Sequence, residues 1–237
     1  MKAKKVYEFR TSGEIVKMGN DVLIKKQWEQ FLNKHLYRSD IDNIKYEIKN
    51  GKVYVYSDLE LVNVENLPDY LIYIKDDFIL EECPITEIKH KLKIEGNAIF
   101  SYSNLIEYPE IIDFGGDVIL NGTQIPSIPD DLEIYGNFDL SGTQIIYMPN
   151  SLYVEGDLNL SDTEIKYLPQ NLKIINGSLD ISRTNIEELP RGLEVYNLDI
   201  SFTNITELPD NLIVKETIYI SSDMDIENIN DYNYEFI

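Results

Sequence analysis

Apolar residues along most of this chain follow a short alternation, x-L-x-L, that returns about every 20 residues. The segments NFDLSGTQIIYMP, DLNLSDTEIKYLP, SLDISRTNIEELP and NLDISFTNITELP begin at Asn137, Asp157, Ser178 and Asn197. Alternation with period two over so few residues predicts a short strand with one buried face. A second alternation, L-x-[IV], precedes each of these, as at Leu152 and Val154, and predicts another short strand. Leu140, Leu160, Ile181, Ile200 and Ile220 are expected to form one inward column. Phe138, Leu158, Leu179, Leu198 and Ile218 form a second. One such coil cannot bury its own leucines, so neighbouring coils must stack to make a continuous core. Gly136, Gly156 and Gly177 fall between the two alternations and are expected to supply unusual dihedrals at a turn.

The two ends depart from this rhythm. Ile24, Trp28, Phe31, Leu32 and Leu36 share one face at helical spacing, and Asp21 is placed to cap a helix running to about Tyr37. His35 lies near that face and reads as structural. In IKYEIKNGKVYVY, residues 44–56, two alternating runs flank Asn50-Gly51, the signature of a hairpin or an irregular first coil. With an N-terminal VYEF strand these make residues 1–56 a cap over the first coil. Residues 57–223 form the solenoid, and residues 224–237 a C-terminal cap or docking tail.

A threonine column runs through Thr123, Thr143, Thr163, Thr184 and Thr203, with Ser103 and Cys83 before it and Asp223 after it. A proline column accompanies it, from Pro109 through Pro129, Pro149, Pro169 and Pro190 to Pro209. The expectation is mainly β: a leucine-rich-repeat or β-solenoid fold of about eight 20-residue coils behind an α-helical cap. The unit resembles the leucine-rich-repeat family, whose core is L-x-x-L-x-L-x-x-N-x-L. Val195, Leu198, Ile200, Thr203 and Ile205 match that spacing position for position. The short repeat with its Leu-Pro step resembles bacterial members, secreted effectors among them. The layout of VYEF segment, helix and repeats is similar to leucine-rich-repeat proteins of tailed phages. Threonine stands here where the family has asparagine. Family asparagines bond the backbone of adjacent coils, and the resemblance implies that role for the threonine hydroxyls.

Composition narrows the possibilities. A single cysteine, Cys83, excludes an intrachain disulfide framework, and two histidines leave little for metal or acid–base chemistry. No apolar run approaches a membrane span, and polar residues follow the basic opening MKAKKVYEFR where a signal peptide needs an apolar core. A cytoplasmic protein without membrane contact is therefore expected. No phosphate-binding glycine loop, H-E-x-x-H or nucleophile elbow is present, so neither an enzyme nor a cofactor or metal site is expected.

Charge is unevenly placed. Residues 1–50 hold 11 Lys and Arg against 7 Asp and Glu, which leaves 10 against 35, a net of −25, for residues 51–237. Such a field repels nucleic-acid phosphates and attracts basic surfaces; it also keeps a repeat protein dissolved. The outward positions of the x-L-x-L-S strand, its serine included (Ser141, Ser161, Ser182, Ser201), form a concave face in the leucine-rich-repeat frame. Its candidate binding residues are Ile99, Ile119, Asp139, Asp157, Asn159, Asp180, Asp199 and Tyr219. Asp180 beside Asp199 puts like charges on neighbouring strands, which a partner's Lys or Arg would compensate. Duplication of a solvated repeat would produce the same column. The tyrosine-and-acid positions Glu133, Tyr135, Tyr153, Glu155, Lys173, Ile175, Glu194 and Tyr196 offer a second face.

The expected function is a non-enzymatic protein-binding scaffold with a basic protein partner. The phage resemblance implies an inhibitor of a host defence protein. An effector-type scaffold, a DNA mimic and a virion component are the alternatives.

Overall fold

The computed structural model describes residues 12–37, 41–109, 111–174 and 176–237, with the backbone alone at 12–18, 111–113, 173 and 174. The expected VYEF strand lies outside the described residues. Beyond the N-terminal helix the chain winds into a β-solenoid, as the alternation requires.

A ten-stranded sheet runs along the stack. Its strands are Leu59–Glu60, Phe78–Ile79, Ala98–Ile99, Val118–Ile119, Phe138–Asp139, Leu158–Asn159, Leu179–Asp180, Leu198–Asp199, Ile218–Ile220 and Tyr234–Phe236. Each pairs in parallel with the next and in register, so that Phe138 sits beside Leu158 and Asp139 beside Asn159. The first nine belong to coils and the tenth comes from the tail. The repeat therefore starts one coil earlier than the threonine column indicates, at Leu59. The second alternation also forms strands. They make a five-stranded sheet from Tyr46–Lys49 to Ile111–Phe114, then sheets of three and two strands ending at Ile213–Val214.

The two expected inward columns are buried throughout, within one continuous hydrophobic cluster. A leucine moved from water into such a core contributes roughly 1.5–3 kcal/mol. Backbone bonds between coils complete the stack: the amides of Phe138 and Leu140 donate to Asp157 O and Asn159 O, both at 2.8 Å.

Three local expectations need correction. First, the threonine hydroxyls do not tie coil to coil. Thr163 Oγ1 donates to Leu160 O at 2.7 Å, three residues back in its own coil, and Thr123, Thr143, Thr184 and Thr203 do the same. The residue between Ser and Thr explains this. It is left-handed, with φ of 55° at Asp162 and Arg183 and 57° at Phe202, and it folds the hydroxyl back onto its own strand. Cys83 differs, since its Sγ lies 3.4 Å from Leu61 O of the preceding coil.

Second, Gly156 and its equivalents are not needed for positive φ. A Cβ on Gly156 would stand 2.6 Å from Gly136 O and 2.7 Å from Gly136 C. Close approach of stacked backbones, rather than handedness, demands glycine there.

Third, the helix spans Ser12–His35, so Asp21 is an interior residue and not its N-cap. The apolar stripe starts only at Ile24, which hides the earlier turns from a periodicity argument. Asp21 Oδ1 instead accepts the Gly51 amide at 2.6 Å. That bond pins the helix to the hairpin, whose strands Tyr46–Lys49 and Lys52–Val55 pair across Asn50-Gly51, both at positive φ. Trp28 and Leu32 are fully buried against this end of the core. His35 is buried too, its Nδ1 3.1 Å from Val62 O while its carbonyl accepts the Val62 amide.

Candidate functional site

In a two-residue strand, one side chain must point into the core and its neighbour away from it. The outward neighbours form a single file on the ten-stranded sheet. Ile79, Ile99, Ile119, Asp139, Asn159, Asp180, Asp199 and Tyr219 are Cα partners in consecutive strands. Each is half-buried. Seven of the eight sequence-selected residues are thus brought together in this one file.

The polar members are held by the chain itself. Asp139 Oδ1 accepts the Ser141 amide at 2.9 Å, and Asp180 Oδ1 the Ser182 amide at 2.9 Å. Asn159 and Asp199 each take two bonds, from the amide and hydroxyl of Ser161 and Ser201 respectively. These local turns fix the direction of each carboxylate while leaving its second oxygen outside the turn. Asp180 pairs directly with Asp199 in the register. Partial burial pushes the Asp180 carboxyl above its usual range and the charge of Asp199 adds to the rise, against bonds from Ser182 and the charge of Arg183.

Asp157, the eighth residue, stands in the neighbouring column and is exposed. Its Oδ1 accepts the Ser178 amide at 2.7 Å, and its own amide donates to Asn137 Oδ1 at 2.8 Å. The same link runs back through Asp117, Asn97 and Asp77 to Asp58. This column is the coil-to-coil tie that the threonines were expected to supply. Its signal in the sequence is the run of Asp and Asn one residue before each strand.

The column on the other side holds the serines expected to face outward. Ser161, Ser182 and Ser201 are in fact buried, with Ser201 fully so. The left-handed residue after each of them turns the chain over the serine. Asn121 occupies the same column and leaves its Oδ1 buried without a partner. From Asn159 to Tyr219 the accessible surface therefore consists of the central file and the column before it, while Glu81, Asn121 and Ser141 stay partly accessible at earlier coils.

From Asp58 to Ser221 no position in these three columns is Lys or Arg. Arg183 lies at the bend beside them, over the Phe202 ring at 5.0 Å and 4.0 Å from the Asp162 carboxylate. The second face is different, because cations are mixed into it. Lys215 pairs with Glu194 at 3.1 Å, and two of the tyrosines spend their hydroxyls on acids: Tyr135 on Glu133 at 2.7 Å, Tyr196 on Glu216 at 3.1 Å. The side chains at 173 and 175, also expected on this face, fall outside the described part of the chain.

One feature escaped sequence reasoning. Where successive Leu-Pro steps turn, Glu187, Glu188, Arg191, Glu207 and Asp210 line an open groove of about 980 Å3. These residues lie outside the strands, where no alternation marks them.

Among the described residues no group of three or more His, Cys, Asp or Glu is arranged to hold a metal ion, and no helix is long and apolar enough to cross a membrane. Compared with known proteins, the chain matches no family model and no curated relative in sequence.

Proposed function

We propose that this chain is a non-enzymatic scaffold that binds a basic protein surface through the outer file of its ten-stranded sheet. The observation that carries this reading is the segregation of charge. Carboxylates recur along the file and the column beside it, and no Lys or Arg interrupts them. Every carboxylate of the file from Asp139 to Asp199 is also held in place by a serine amide, so little ordering cost attends docking. A field of one sign on a preorganised surface raises association rates and fixes the register of an oppositely charged partner.

The finer assignment rests on resemblance. The L-x-L core and Leu-Pro step support a short leucine-rich repeat, and the layout supports a phage-encoded inhibitor directed at a host defence protein. The second set of short parallel strands, in sheets of five, three and two, also suits a more general β-solenoid.

The test replaces Asp139, Asp180 and Asp199 together by Asn, the residue that the same file already carries at Asn159. Basic proteins retained from a lysate by the parent chain should be lost by the triple variant, with a cooperative thermal transition no lower than the parent's. Retention of the same proteins by both would remove the file as the binding surface.

A further inference from the structure

The file has a direction, and its two ends differ in kind. Ile79, Ile99 and Ile119 occupy three consecutive rungs, and Asp180 and Asp199 occupy consecutive rungs further along. Resting on the proposal that this face binds a basic protein, we infer that its occupant is an amphipathic α-helix lying along the stack. Its apolar stripe sits on the isoleucines, and a pair of Lys or Arg reaches Asp180 and Asp199.

Two physical arguments select a helix over an extended segment. The strands of this sheet already pair with one another, so the face presents side chains and no free backbone donors or acceptors. An extended segment lying on it would leave its own amides and carbonyls without partners, whereas a helix satisfies them internally. The second argument is spacing. Rungs recur at about 4.8 Å, close to the 5.4 Å rise of one helical turn, while same-side residues of an extended chain recur at roughly 6.6 Å. Residues at i, i+3 and i+7 of a helix can therefore meet three successive rungs.

Charge complementarity sets the rest of the occupant's sequence. Asp180 is three rungs beyond Ile119 and Asp199 four, or about 14 and 19 Å. At 1.5 Å and about 100° per residue, the same-face positions that meet them are about eleven and fourteen residues from the apolar residue seated on Ile119, within reach of a flexible Lys or Arg. The half-buried, paired carboxylates there lose water on docking, and a Lys or Arg placed between them relieves their mutual repulsion.

The probe is a synthetic helical peptide of about 22 residues carrying leucines at i, i+3 and i+7 and lysines at i+18 and i+21, all on one face. A control of identical composition has leucines and lysines interleaved along the stripe. Affinity for the full chain is read by titration calorimetry. The block peptide should bind at least about tenfold more tightly than the interleaved one. It should lose at least about tenfold on Asp180→Asn/Asp199→Asn and on Ile99→Asn/Ile119→Asn. Asn in this file is compatible with the fold, as Asn159 demonstrates, and circular dichroism confirms it for each variant. Equal binding of the two peptides, or indifference to the isoleucine pair, overturns the helix inference. Sensitivity to the aspartate pair alone would do so while leaving the acidic-face reading intact. Binding indifferent to both pairs would sink the two together.

Discussion

Asp180 illustrates how a single side chain records its surroundings. Its carboxyl is raised by burial, with Asp199 contributing, so the folded chain holds this proton more tightly than the unfolded chain does. The group's contribution therefore favours the fold below the ordinary aspartate value of about 3.9 and is lost as pH rises through the raised value. At neutral pH the ionised carboxylate is a liability that Asn, which also accepts the Ser182 amide, would remove. Asp180→Asn should melt at a higher temperature than the parent at pH 7, with an advantage that shrinks on acidification to about pH 3. Equal transitions at both pH values would show that the residue is fully solvated. The alternation of Leu179, Asp180 and Ile181 made the outward position of Asp180 legible from sequence. The bonding of Asp157 was not legible, because its partner amide at Ser178 is 21 residues away and only the stacking distance reveals it.

At the scale of one coil, two kinds of glycine separate. Gly156 faces the backbone of the preceding coil, and a methyl group there must push two coils apart. Gly142 has φ +64°, with only Gly122 near its missing Cβ, at 3.8 Å, and its column elsewhere holds Asp162, Arg183 and Phe202. Gly156→Ala should cost about 1–3 kcal/mol in urea unfolding, and Gly142→Asn under about 1 kcal/mol. A reversed order would mean that strand twist, not contact, governs the stack. The coil's strands, its inward leucines and the hairpin at Asn50-Gly51 could all be read from local pattern, because their determinants are neighbours in sequence. The start of the helix at Ser12 and the burial of Ser201 could not. The first has no apolar stripe to mark it, and the second depends on a left-handed turn made by Phe202, a residue type that rarely adopts one.

For the molecule as a whole the governing quantity is a formal charge of −21, with the repeat region more negative still. Stacking brings these carboxylates to rungs about 4.8 Å apart, so the folded state gathers charge that the unfolded chain disperses. The Debye length falls from about 30 Å at 0.01 M salt to about 3 Å at 1 M, and repulsion between coils falls with it. The thermal midpoint should therefore climb with added NaCl at pH 7. A midpoint that fell with salt would mean that ion pairs such as Lys215–Glu194 outweigh the repulsion.

Along the long sheet the register is unbroken from Glu60 to Tyr219. Coil lengths vary from 19 to 21 residues, yet the rungs stay aligned, since the extra residues are absorbed away from this sheet. The face behaves as a ruler whose graduations survive the gain or loss of a mark. Copying or deleting one coil would change its reach by about 4.8 Å and leave every other mark in place. Length can thus be adjusted in whole steps, independently of the chemistry written on each step.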